Sequence, residues 1–421
     1  MSPSKGDFEQ VLDGMISDNM HDSLALEPLR DRLLPFGWGN VTKLAIAYFF
    51  ATLYFYAPVG TLYLLGKDLS YVQINSLWSI IVGTMFLTEV PAGVLADRLG
   101  RKRSINVALA LQVLGEVVYV FADGYWPFAV AAAIGGLGFA FGSGSVEALV
   151  YDSLKTVQRE HEMSKAMGFI NSAQRLANLL ASAAGGLLVI NLTQERFVLA
   201  IAVTACAVAA GWLVSLSLDE AVVKTREEDG GQPFKLVVDG FRTLRNDRRF
   251  RRLVLLALAT IPFSNYLSSL YQPRFVDVGV PPVWLGLALV LASILSILGA
   301  RYAHWMEARW GAKSSLLLVT GLPGVLYLAM AAAQRPLFSV PAFCVLMGSM
   351  SLKDPIFSGH LNRYIESRNR ATVLSLISML SGLYVALVGL LIGCIGDVSL
   401  TWAFLFMGVI VLVGSLLFRV R

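Results

Sequence analysis

The sequence is poor in charge. Asp, Glu, Lys and Arg make up 15% of its 421 residues, where soluble globular chains carry about 25%. That deficit excludes an ordinary water-soluble enzyme, a nucleic-acid module and a disordered chain. Cysteine is scarce too. The three present, Cys206, Cys344 and Cys394, each lie in an apolar run, so neither a disulfide frame nor a thiolate metal site is expected. The four histidines, His21, His161, His304 and His360, are scattered, and His161-Glu162 lacks a second histidine four residues on, so no metal centre is expected. No G-x-x-x-x-G-K-[ST] run occurs, which removes an ATP-driven pump, and enzyme motifs are absent. The apolar runs are continuous rather than alternating, which excludes a transmembrane β-barrel.

What remains is apolar. Hydrophobic residues reach 56% and the mean hydropathy is +0.64. A bilayer core about 30 Å thick needs about 20 apolar residues per helix. Twelve stretches meet that measure: 41–65, 72–95, 105–122, 127–150, 166–190, 197–218, 253–276, 283–303, 314–333, 337–361, 371–394 and 399–418. The fold expected is an all-α polytopic membrane protein with twelve transmembrane helices.

Basic residues orient the spans. Arg98, Arg101, Lys102 and Arg103 follow span two, and Lys155, Arg159 and Lys165 follow span four. Six arginines from Arg242 to Arg252 follow span six. Later even-numbered spans continue the pattern with Arg309 and Lys313, then Arg363, Arg368 and Arg370, then Arg419 and Arg421, while the alternate loops hold about one base each (Lys67, Arg196, Arg274, Arg335). Every second loop and both termini are therefore expected in the cytoplasm of a plasma (inner) membrane protein. Residues 1–36 carry seven acids against three bases, so no cleavable signal is expected. Phe8, Val11, Leu12, Met15 and Ile16 recur at helical spacing, consistent with a short surface helix or an unstructured tail. Phe234, Val237, Val238, Phe241 and Leu244 do the same in the central loop, where an interfacial helix is expected.

The polar break at 219–250 falls near the midpoint. Gly100 and Gly311 stand 211 residues apart in the loops after spans two and eight, with a basic residue directly after the first (Arg101) and one position later after the second (Lys313). Six spans repeated suggest two bundles about a pseudo-two-fold axis along the membrane normal, with a substrate site between them. The divisions expected are a tail at 1–40, a first bundle at 41–218, a linker at 219–252 and a second bundle at 253–421.

The run Gly93-Val94-Leu95-Ala96-Asp97-Arg98-Leu99-Gly100-Arg101-Lys102-Arg103 resembles the signature loop of the major facilitator superfamily, G-x-x-x-D-R-x-G-R-K/R-x between the second and third helices. The resemblance covers the whole transmembrane region and implies two pseudo-symmetric six-helix bundles working by alternating access. It also implies a conformational latch drawn from Gly93, Asp97, Arg98, Gly100 and Arg101, with the loop Asp facing the start of the eleventh helix. Physically, the glycines allow close approach and Asp97 suits a helix N-terminus. Arg101 offers a fork to a carboxylate, for which Asp152 is the nearest candidate. The second-half loop is degenerate: Ala308 replaces the Asp and His304 the first Gly.

Ionisable groups at membrane depth are functional hypotheses by default. Proton-coupling candidates are Glu116, Glu147, Glu89 and Asp354, since a carboxyl among apolar residues takes up a proton more readily than one in water. Glu116 ranks first, having no sequence-evident partner. Glu147 and Arg175, on consecutive spans, are candidates to pair. Cavity candidates are Tyr54, Asn171, Gln174, Arg175, Asn178, Asn265, Tyr266, Lys353 and Tyr384, each open to a plain packing role. Gly135 through Ser145 reads as close helix packing, not a nucleotide loop. Antiporters of the superfamily usually end the fifth helix in Gly-Pro-x-x-Gly-Gly; here Ala181-Ser182-Ala183-Ala184-Gly185-Gly186 keeps only the glycine pair.

The expected function is proton-coupled efflux of a small amphipathic organic compound by a monomer, with the lipid bilayer and that substrate as its partners. No nucleic acid and no cofactor is expected beyond a proton gradient. The alternatives are a proton symporter or facilitator importing a polar or anionic metabolite, with Arg175 and Lys353 on the anion, and a non-transporting receptor or scaffold.

Overall fold

A computed structural model describes residues 35–220, 248–260, 262–364 and 370–418. The surface helices expected around residues 8–16 and 234–244 lie outside the described residues, as do the side chains of Asp97 and Asp354.

The described residues are helical, without strands. In the first half, α1 is Asn40–Ala51, α2 Gly60–Leu65, α3 Tyr71–Leu99 and α4 Arg101–Phe121. They are followed by α5 Tyr125–Gly142, α6 Ser145–Thr156, α7 Met163–Leu188 and α8 Gln194–Leu216. In the second half, α9 is Arg248–Thr260, α10 Pro262–Asp277, α11 Val283–Trp310 and α12 Ala312–Ala332. The last three are α13 Pro336–Tyr364, α14 Arg370–Val398 and α15 Leu400–Leu417.

Helices stand at all twelve expected positions, and ten of the segments are long and apolar enough to cross a bilayer. The other two positions differ for visible reasons. The first expected span is broken between α1 and α2, around Pro58, and α7 carries Lys165, Arg175 and three amides. The fourth span is interrupted as well, because Gly144 adopts φ +72° between α5 and α6. A single span thus becomes two helices exactly where a residue without Cβ permits it. Large apolar side chains such as Leu87, Phe121, Leu187 and Leu213 point outward, which suits lipid and not water.

The internal repeat has a backbone counterpart. α3 and α11 contain 29 and 28 residues, and α4 and α12 contain 21 each. The glycines that join them share one conformation, Gly100 at φ 92°, ψ 159° and Gly311 at φ 76°, ψ 158°. Helices before residue 220 pack chiefly on one another, α4 on α5 and α8 for example. Those after 248 do likewise, as α11 on α13 and α12 on α15. Between the halves, α3 lies along α14 and α7 crosses α11.

That seam is closed at one end. The loops at Gly100 and Gly311 mark the basic end; opposite it is the far end. Asn75 Nδ2 donates to the Gly389 carbonyl (3.1 Å) and Ser79 Oγ to the Ala386 carbonyl (2.8 Å). Asp397 accepts from Tyr71 N (2.6 Å) and Val72 N (3.3 Å), the exposed donors at the start of α3. Gln272 accepts from Thr61 N (2.8 Å) and donates to the Ala57 carbonyl (3.0 Å). Every hydrogen bond that joins the halves between described side chains lies in this far-end part. Gly186 and Gly286 meet where α7 crosses α11: a Cβ on Gly186 would lie 2.9 Å from Gly286 Cα.

This contact makes a prediction. Gly186→Ala should destabilise the protein by about 1–3 kcal/mol, as overpacking does. Gly168→Ala, whose Cβ would meet open space, should be neutral or gain up to about 1 kcal/mol from helix propensity. Thermal unfolding in detergent reads both; equal midpoints would contradict a tight α7–α11 crossing.

Candidate functional site: a buried acid behind two cavities

The basic-end loop is built differently from expectation. α3 ends at Leu99 and α4 starts at Arg101, leaving the first amides of α4 without helical acceptors. Glu220 supplies one, accepting from Arg101 N at 2.8 Å and Lys102 N at 3.4 Å. Gly100 lets it approach, since a Cβ there would lie 2.9 Å from the Glu220 carboxylate. The segment before Glu220 is pinned in turn: Lys43 Nζ donates to Asp219 Oδ2 at 2.6 Å and holds that carboxyl below the usual range, while Asn40 exchanges bonds with the Asp219 backbone. Asp152 makes no hydrogen bond or ion pair among the described residues, and Glu220 is the described carboxylate seen to accept from the amides of this loop. Gly93 has open space around it and no close neighbour in this state, and Arg98 is exposed. Farther along the same end, Glu162 receives the Arg159 fork at 2.7 and 2.9 Å, which lowers its carboxyl to about 2.

Two cavities lie in the first half. One, of about 370 Å³, is lined by Tyr48, Glu147, Asn171 and Gln174 among others. The second, of about 320 Å³, is lined by Tyr54, Tyr56, Trp78, Glu116, Tyr119 and Phe128 among others. Gln112 and Phe139 line both, so the second lies directly behind the first. α4 carries the wall: Gln112, Glu116 and Tyr119 follow i, i+4, i+7 and share one face. Small residues let that wall close. A Cβ on Gly138 would sit 3.0 Å from the Ala108 carbonyl, and one on Gly136 would sit 2.9 Å from Thr84 Cβ. The packing role expected of the glycine-rich run holds at these two positions, while Gly144 serves as the helix break.

Glu116 is the centre of the second cavity. It is 8% exposed. Tyr56 Oη donates to Oε1 at 3.1 Å, and Oε2 is buried with no hydrogen-bond partner. Tyr56 stacks on Tyr119 with ring centroids 5.3 Å apart and meets Tyr54 edge-on at 5.8 Å.

The remaining candidates scatter. Glu147 lines the first cavity but forms no ion pair with Arg175; both are exposed, and Arg175 is not part of the wall that Glu147 shares with Asn171 and Gln174. Glu89, Asn178 and Asn265 are exposed and line neither cavity. Tyr266 is a buried tie, its hydroxyl donating to the Val385 carbonyl at 2.6 Å. Tyr384 is half-buried outside both cavities. Lys353 is buried, with Nζ 6.0 Å from the Phe357 ring centroid, and Asp354 beside it lies outside the described side chains. Arg274, read from sequence as an outer-loop base, is buried instead, its guanidinium capping the Ala331 and Ala333 carbonyls. Sequence reasoning missed Gln112 and Tyr119, although their helical spacing from Glu116 was available. It had no signal for Glu220, Gln272 or Asp397, whose partners are distant in sequence. No group of three potential metal ligands occurs among the described residues.

The Glu220 contact is testable. Glu220→Ala should cost about 0.5–2 kcal/mol, as loss of a helix-capping acceptor does, lowering the unfolding midpoint in detergent. Asp152→Ala should leave it unchanged. The reverse order would restore the Arg101–Asp152 pairing.

Known proteins bear on this architecture. A profile of the Major Facilitator Superfamily matches residues 44–352. The uncharacterized MFS-type transporter YxaM of Bacillus subtilis (strain 168) is 25% identical over 377 residues, covering 87% of this chain and 91% of that one. Among solved structures, the nucleoside transporter NupG superposes with TM-score 0.68 at 14% identity, covering 90% of this chain and 98% of its own. A bacterial homologue of the iron transporter ferroportin superposes with TM-score 0.64 at 14% identity, again covering 90% and 98%. The profile match takes in well over half of the residues, the Gly93–Arg103 loop included, and the chain belongs to the major facilitator superfamily.

Proposed function

We propose that this multi-pass secondary transporter, which is not an enzyme, couples export of a small amphipathic organic compound to proton entry. The basic end faces the cytoplasm, a reading the Lys and Arg asymmetry supports, with both termini on that side of the plasma membrane. The far-end seam is then the outward gate, closed, and the cavities belong to an inward-facing state. Gly93, Asp97, Arg98, Gly100 and Arg101 serve as the latch of the opposite state, with Glu220 as an added member at the start of α4. The chain works as a monomer and draws on a proton gradient.

One observation carries the coupling assignment: Glu116 Oε2 is buried without a donor, at the end of two cavities that share a wall. A buried polar atom without a partner costs free energy, and a proton or a substrate group completes it. Glu147, which lines the adjoining cavity and is exposed, is suited to relay rather than hold the proton. The symport reading rests on Arg175 and Lys353, and neither lines either cavity.

In proteoliposomes, Glu116→Gln should abolish accumulation driven by a proton gradient while substrate counterflow persists. Undiminished driven accumulation in that variant would remove Glu116 as the coupling site. Glu89→Gln should transport like the parent chain.

A further inference from the structure

We propose that the cavity around Glu116 is a binding site for a small organic monocation, a substituted ammonium, held inside the first bundle rather than between the two halves. This rests on the proton-coupled reading and names the substrate class that competes for the same carboxyl.

The walls of this cavity come from α3, α4, α5 and the break between α1 and α2, with no residue beyond 248. Their chemistry is one-sided. Glu116 is the only acid, and no Lys, Arg or His lines the space; the titratable groups facing Glu116 are Tyr54, Tyr56 and Tyr119. An anion would find no countercharge. A neutral donor could bond Oε2 but would leave the carboxylate's charge uncompensated. A single positive charge satisfies it, and the site offers one acid, hence a monocation. Much of the remaining lining is aromatic, with Tyr54, Tyr56, Tyr119, Trp78 and Phe128 in the same wall as the carboxylate, and ring faces attract alkylated ammonium groups. The volume, about 320 Å³, lies at the small end of ligand pockets, which run from roughly 300 to 1,000 Å³. Gln112 marks the way in, since it lines this cavity and the one before it. One carboxyl cannot hold both a proton and an ammonium, so cation binding displaces the proton from Glu116 and proton binding displaces the cation.

The test is isothermal titration of the full chain in nanodiscs with tetramethylammonium and choline, and with the neutral isostere 3,3-dimethyl-1-butanol. Runs in two buffers of different ionisation enthalpy count the protons released. Choline should bind at least about tenfold tighter than the neutral isostere and release up to one proton per cation, more at lower pH. Glu116→Gln should remove that preference. Tyr119→Leu, which keeps the carboxyl, should weaken the cation several-fold and Tyr119→Phe should not; this covers the case in which the Glu116 variant fails to fold. Equal affinity for cation and isostere, or unchanged cation binding in Glu116→Gln, overturns the inference. Should proton-driven transport still require Glu116 in that event, the coupling reading stands alone. Cation binding that needs Glu116 but releases no proton keeps the site and sinks the shared-carboxyl competition.

Discussion

A carboxylate oxygen without a hydrogen-bond donor, deep in a helix bundle, is the constraint around which this molecule is organised. In a bilayer the backbone satisfies itself by forming helices, and most buried side chains here follow suit by donating to carbonyls of their own turn. Six buried side-chain N or O atoms lack partners among the described residues, and Glu116 Oε2 is the one that belongs to an acid. It lines a cavity, with Tyr56 on the other oxygen, so the unmatched atom faces space and not packed side chains.

The seam between the halves supplies the second requirement, a difference between the two ends. At the far end α3 and α14 are held by amide, hydroxyl and one carboxylate contact, and α7 and α11 touch through paired glycines. Such hydrogen bonds contribute about 0.5–1.5 kcal/mol each, so a handful closes this end of the seam without locking it. Gln272 and Asp397 bond to backbone groups of the other half, which makes closure depend on helix position more than on any side-chain pair.

Residues that share a helix face were readable in advance; residues that meet across the bundle were not. The run Gln112, Glu116, Tyr119 follows from 3.6 residues per turn, and the glycines at 136 and 138 announce close packing. The pairing of Glu147 with Arg175 failed because adjacency along the chain says nothing about the rotation of one helix against the next. Asp152 was the near acid for the Gly100 loop, yet Glu220 fills the role, delivered from the end of α8 through the Lys43–Asp219 and Asn40 ties. Tyr266 and Arg274 looked like cavity and loop residues and are instead buried ties, because polar groups at those depths must find carbonyls wherever neighbouring helices present them.

Composition and the lengths of the apolar runs by themselves determined that this is a polytopic helical chain and roughly where its helices lie, since lipid allows few alternatives for twenty apolar residues in a row. The half-repeat and the Gly93–Arg103 loop carried the superfamily. Only the tertiary structure decided which end of the seam is closed, that the cavity holding Glu116 lies within the first half, and that Glu116 keeps one oxygen unmatched. Those features depend on how helices rotate and cross, and that is settled by contacts between residues one to three hundred positions apart.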